Sequence, residues 1–206
     1  MPLFDNIHDV ALPFFLIALI PFISSYVYQY YDFERIESKK NGLIEFKENE
    51  IILDYSLSIK YDEITNIEIG IVAYYGERIN MVYRNPHEQK SLGIRNHIKL
   101  QTKSNEYGFH FKLENKIHLK ELENILFELV KSEKLKLVEP KKTIKLVPKR
   151  FNMTDEYKGF IIKQIVEKRI NCTEGLLLHG YKTDKEAAEL RKKYCDCAST
   201  LKPLLQ

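Results

Sequence analysis

Cys172, His179, Cys195 and Cys197 come nearest to a metal-ligating set in this sequence, and zinc held through thiolate and imidazole is the chemistry they would do. Their spacing opposes it. Cys195 and Cys197 stand two apart, which on a helix points them in widely different directions, whereas structural zinc sites place about two to four residues between paired cysteines. Three cysteines, an odd number gathered late in the chain, make a poor disulfide framework and fit a reducing compartment. The six histidines are scattered, and His110 within GFHFKL reads as a strand residue facing solvent. No glycine-rich phosphate loop, G-x-S-x-G or H-E-x-x-H is present. The chain therefore reads as a binding protein and not an enzyme, with no catalytic residue, cofactor or metal expected.

Charge gives a stronger pattern. The net charge of +3 conceals an asymmetry: residues 1–139 hold 17 Lys and Arg against 21 Asp and Glu, and the remainder hold 15 against 8. Within the basic part, EPKKTIKLVPKRF carries Lys141, Lys142 and Lys145 between Pro140 and Pro148, and Lys149 and Arg150 directly after. These five are the candidate site for anionic lipid, where each cation near a charged leaflet contributes about 1 kcal/mol. The prolines mark the segment, residues 138–152, as a linker.

The elements that would position those cations begin with DVALPFFLIALIPFISSYVYQYYD. Its two aspartates enclose an uncharged run whose helix would cover about 30 Å of hydrocarbon. Tyr26, Tyr28, Tyr30 and Tyr31 form an interface belt, and Pro21 is better tolerated in a membrane helix than a soluble one. Arg35, Lys39, Lys40 and Lys47 follow, while residues 1–9 carry no Lys or Arg, so the positive-inside rule turns the body toward the cytoplasm. Residues 10–31 are thus expected to span the cell membrane once, with the N-terminus outside and the domain cytoplasmic. In that case the sequons at Asn152 and Asn171 are coincidental. The competing placement buries this helix within the protein.

From Gly42 the chain turns to short runs rich in Ile, Val, Tyr and Phe with period-2 alternation, as in HIKLQT, where Ile98 and Leu100 alternate with Lys99 and Gln101. Strands are expected through RINMVY, with a turn at RNPHEQ and a hairpin from HIKLQT to GFHFKL. A helix follows, capped by Asn115, with Leu119, Leu122, Ile125, Leu126, Leu129 and Val130 on its apolar side. A curled antiparallel sheet closed by this helix is the predicted outcome.

The runs GLIEFKENEIIL, LSIKYDEITNIEI (with Tyr61, Glu63, Ile64 and Ile67) and NHIKLQTKSNEYGFHFKLENKIHLKELENIL resemble the pleckstrin-homology-like (PH-like) domains of bacterial membrane-tethered proteins, over about residues 36–135. The resemblance implies a sheet or barrel closed by a C-terminal helix, over residues 36–137. It does not carry over a phosphoinositide site, because the first hairpin, FKENE, sets Lys47 beside Glu48 and Glu50. The chain also lacks the Trp often found in the closing helix of eukaryotic relatives.

Residues 153–206 are expected as two or three small helices. One is capped by Thr154, with Tyr157, Ile161, Ile165 and Val166 inward, one stops at Gly180, and one starts with a Thr183 and Glu186 capping box. The predicted protein is α+β: a transmembrane helix, a PH-like β domain and a helical tail. It acts as a membrane-anchored binding or scaffolding protein, with the lipid bilayer and a protein as partners. The alternative is a soluble regulatory protein with a buried first helix, whose basic tail contacts nucleic acid.

Overall fold

A computed structural model describes residues 5–29, 31–33, 42–79 and 90–196. Arg35, Lys39, Lys40, the turn at 84–89 and Cys197 lie outside them. Helix α1 (Asp5–Gln29) is followed by β1 (Ile44–Phe46), β2 (Glu50–Leu53), β3 (Leu57–Lys60), β4 (Ile64–Gly70), β5 (Asn96–Thr102) and β6 (Glu106–Phe111). Then come α2 (Lys116–Lys131), α3 (Pro140–Lys145), α4 (Asp155–Val166), α5 (Cys172–His179) and α6 (Asp184–Arg191), which runs into a π turn, Lys192–Asp196.

The membrane expectation is overturned. Among the described residues no helix is long and apolar enough to cross a membrane. Pro13, Pro21, Ser24 and Ser25 interrupt the apolar run of α1. A transmembrane helix at 10–31 is therefore withdrawn, and with it the single-pass placement that set the N-terminus outside and the domain in the cytoplasm. The described residues do not enclose α1 either: Phe14 is 68% exposed and Phe22 72%.

The strands make two antiparallel three-stranded sheets, β1-β2-β3 and β4-β5-β6, and not a closed barrel. Alternation decides which side of each strand faces the core. Ile51, Leu53 and Ile59 in the first sheet, and Ile64, Ile67, Ile98 and Leu100 in the second, are buried in one cluster. A register shift between Ile64 and Asn66 inserts one residue, which is why the buried pair in β4 is three apart and not two. In the turn from β2 to β3, Asp54 and Tyr55 both take positive φ, which strains a bulky residue such as Tyr55.

Helix α2 starts where Asn115 Oδ1 accepts the N–H groups of Ile117 and His118, and it buries Leu122, Leu126, Phe127, Leu129 and Val130. The expected linker is not a loop. Pro140 occupies the first turn of α3, where its missing N–H costs nothing, and Ile144, Leu146 and Val147 enter the main core. Phe151, in the 3₁₀ turn Lys149–Phe151, stacks on Phe127 at 4.3 Å. Tyr157, Phe160, Ile161 and Ile165 of α4 join the same core, whereas Val166 faces out. Helix α5 comes close to α4 because position 175 is glycine, where a Cβ would lie 2.3 Å from Ile165 Cγ1.

Asn96 is the polar pin of the second sheet. Fully buried, its Oδ1 accepts the Val72 and Ala73 N–H groups, and its Nδ2 donates to the Ala73 and Gly93 carbonyls. This clamps two loops together, helped by Gly93, whose φ of +71° and contact with Leu113 O exclude a Cβ. Asn96→Ala leaves the Ala73 N–H and C=O without their partner and frees the Val72 N–H, while Gly93 O keeps the Leu113 N–H, and is expected to destabilise the protein by about 1–3 kcal/mol, read as a lower urea midpoint. A change under about 0.5 kcal/mol would show that the clamp is dispensable.

Candidate functional site

Among the described residues, the two sheets touch edge to edge at one backbone bond, from Gly42 N–H to His110 O at 2.9 Å. Beyond it β1 and the end of β6 diverge, and α2 does not fill the wedge. The result is an open cleft of about 470 Å³. Its floor is Ile69 and Ile98, its banks are Ile44 and Phe46 on one side and Phe111 and Leu113 on the other, and its far wall is Leu122 and Ile125. Ile125 was expected on the buried side of the helix. It is 40% exposed at the mouth, with Leu43 at 44% across from it.

Backbone geometry leaves the β1 bank open. Asp54 N–H bonds to Leu43 O and Lys47 N–H to Glu50 O, so odd-numbered residues of this strand turn their polar groups toward β2. In an antiparallel ladder the alternate residues then turn theirs away, as Gly42 does toward His110. Ile44 and Phe46 therefore direct N–H and C=O into the cleft. On the opposite bank Lys112 follows the same alternation as His110, while the Leu113 N–H and C=O are bonded to Gly93 and Tyr75. The rim carries Glu45, Glu114 and Glu121 against Lys112 and His118. Lys112 is itself engaged, 3.1 Å from Glu114 and over the Tyr75 ring.

The five expected anion contacts do not act as one group. Lys141 pairs with Glu174 at 2.8 Å, and that hydrogen bond holds its ammonium above the ordinary lysine range. Arg150 pairs with Glu123 at 2.7 Å, donates to Lys120 O and Asn124 Oδ1, and covers Phe151. Lys142, Lys145 and Lys149 remain exposed, opposite the buried Thr143, Ile144, Leu146 and Val147.

The cysteine expectation also changes. Cys172 at the start of α5 is joined to Cys195 in the π turn, with Cα atoms 5.9 Å apart. Spacing alone could not show this, because the fold brings together residues 23 apart. His179 meets Gly180 O through Nδ1, and half-buried His110 faces His97 at 5.9 Å instead of open solvent.

A polar knot missed by pattern reading ties α2 to α4. Glu133, just beyond α2 and at positive φ, accepts from Gln164 Nε2 at 2.7 Å and pairs with Lys163 at 2.9 Å and Arg169 at 3.6 Å. Its carboxyl is held below the ordinary range first by the Lys163 bond, against the opposing effect of burial, with Arg169 and Gln164 adding to the lowering. In the sheet, burial, with Glu50 nearby, pushes the Tyr61 phenol up to about 12, and its hydroxyl donates to Lys47 O. Compared with protein-family models, curated proteins and solved structures, the chain finds no match.

Two outcomes follow from these ties. A lowered folded-state pKa gives stability that is present above the unfolded value and lost as pH falls through the folded one. Glu133→Gln is therefore expected to cost about 1 kcal/mol at neutral pH, discounted for partial exposure, with the gap from the parent closing below about pH 4 in urea titrations. A gap unchanged at lower pH would uncouple Glu133 from its cations. Since α6 contributes no buried residue, reducing Cys172–Cys195 is expected to open trypsin sites at Arg191 to Lys193 while β5 amides stay protected. The global loss is then below the roughly 3 kcal/mol that closing such a loop is worth. Unchanged cleavage after dithiothreitol would show that other contacts hold the segment.

Proposed function

We propose that this chain is a regulatory binding protein, and that a protein partner docks in the cleft between β1 and α2. The observation that carries the reading is the cleft itself. An apolar floor under an unpaired strand edge, ringed by a few charges, is the usual make-up of a recognition groove. The PH-like resemblance belongs to the same proposal. Two small antiparallel sheets with a helix over the opening support it, and fold likeness alone assigns no ligand. Phe14, Phe15, Phe22 and Ile23 of α1 make a separate exposed apolar surface.

A second reading rests on a different observation. Lys142, Lys145 and Lys149 are exposed together on the outer side of α3 and the turn after it, a ridge that suits the phosphates of a nucleic acid. The two readings separate in one cell-based experiment. A photo-reactive phenylalanine analogue at Ile125 is expected to crosslink a protein, while the same group at Leu177, exposed on α5 and outside the cleft lining, does not. Identical adducts from both positions, or none from Ile125, would overturn the cleft reading. Nucleic acid recovered from the ridge, and lost on replacing its three lysines by Glu, would establish the second reading instead.

A further inference from the structure

Resting on the cleft reading, we infer that the wedge between β1 and Lys112 is the place of a missing strand, filled by an extended partner segment that carries an apolar residue flanked by Lys or Arg. The hydrogen-bonding groups come first. Ile44 and Phe46 each present an N–H and a C=O to the wedge, where no described residue hydrogen-bonds to them. Lys112 presents its own pair from the facing bank. Such groups are normally paired or covered, and an incoming strand pairs them while adding no strain to the banks.

Shape agrees with this. The bond from Gly42 to His110 fixes the banks at one end at ordinary strand spacing, and the divergence beyond it makes room for one more chain. An inserted strand directs alternate side chains down to Ile69 and Ile98 and up past Ile125. An apolar residue fits below, and its neighbours reach the rim. There Glu45, Glu114 and Glu121 face a single ammonium, already engaged by Glu114, so the unbalanced sign is negative and a basic segment is favoured. A helical segment would satisfy the apolar floor but none of the strand-edge groups.

The test uses the full isotopically labelled chain and two blocked peptides, acetyl-Val-Lys-Leu-Lys-Val-amide, whose two Lys fall on the face opposite Leu, and its counterpart with Glu in place of both Lys. The basic peptide is expected to bind roughly tenfold tighter or better, and to slow hydrogen exchange at the Ile44 and Phe46 amides. N-methylation of alternate peptide amides should weaken it by roughly tenfold in one register and little in the other. On the protein side, Ile44→Pro removes an outward N–H that no described residue uses. It should weaken binding similarly, and the peptide arm stands by itself if that variant does not fold. Equal affinity for both peptides, or binding that leaves the two amides exchanging as before, overturns strand addition while cleft docking survives. If neither peptide perturbs the cleft and Ile125 gives no crosslink, both proposals fall.

Discussion

Among the described residues, the backbone bond between Gly42 and His110 is the one hydrogen bond that joins the two sheets at their edges, and the cleft follows from how little it closes. A barrel needs each strand long enough to tilt and still pair on both sides. With only three residues, β1 pairs with β2 along its length and reaches β6 only through the residue pair just before it. The inner faces nonetheless share one core, so the hydrophobic effect holds the sheets together where hydrogen bonding stops. What is left open has to be sealed by something other than strand pairing. Helix α2 does so in part, packing Leu122 and Leu126 against Leu113.

The helical region is part of the same cooperative unit and not an appendage. Residues from β2 through α5 belong to one buried cluster, and the Phe127–Phe151 stack joins α2 to the turn after α3. Glu133 then fixes α4 through Lys163 and Gln164, and the turn after it through Arg169, at the point where the chain leaves α2. Because Ile144, Leu146 and Val147 anchor it, the basic segment has a fixed outer side instead of a sweeping one. That is why its cations sort into two classes. Lys141 and Arg150 brace neighbouring helices, and the other three face water.

Much of the fold was legible in local chemistry. Period-2 alternation at Ile98 and Leu100, the Asn115 cap, and the Thr154 and Thr183 caps all have short-range causes, and the structure shows each of them. Helix α3 was not legible, because Pro140 and Pro148 read as linker punctuation, while the buried Ile144, Leu146 and Val147 face a core built by residues far away in sequence. The α2 pattern named Leu122, Leu126, Leu129 and Val130 correctly. It misjudged Ile125, which tertiary divergence left uncovered, and it omitted Phe127, whose partner Phe151 lies beyond the helix. The candidate site was hidden for the same reason. A cleft exists where two edges fail to meet, and no local window records a failure of pairing between residues 42–46 and 110–113.

How the molecule spends its polar groups separates structure from site. Asn96 satisfies every hydrogen-bonding atom of its side chain, Tyr61 finds Lys47 O, and Gln164 finds Glu133, so these three are closed circuits, whereas Asn66 Oδ1 and His110 Nδ1 are buried with no partner among the described residues. Ile44, Phe46 and Lys112 differ, with backbone groups that no described residue pairs beside an apolar floor. A free edge invites indiscriminate pairing between copies, and short strands with charged neighbours are the usual guard. Here β1 has three residues with Glu45 at its centre and Lys47 and Glu48 just past its end. An edge so short cannot hold a long flat strand, and a carboxylate rim disfavours a second acidic edge like itself. What it admits is a brief extended segment of the opposite charge, and that makes the edge selective instead of merely exposed.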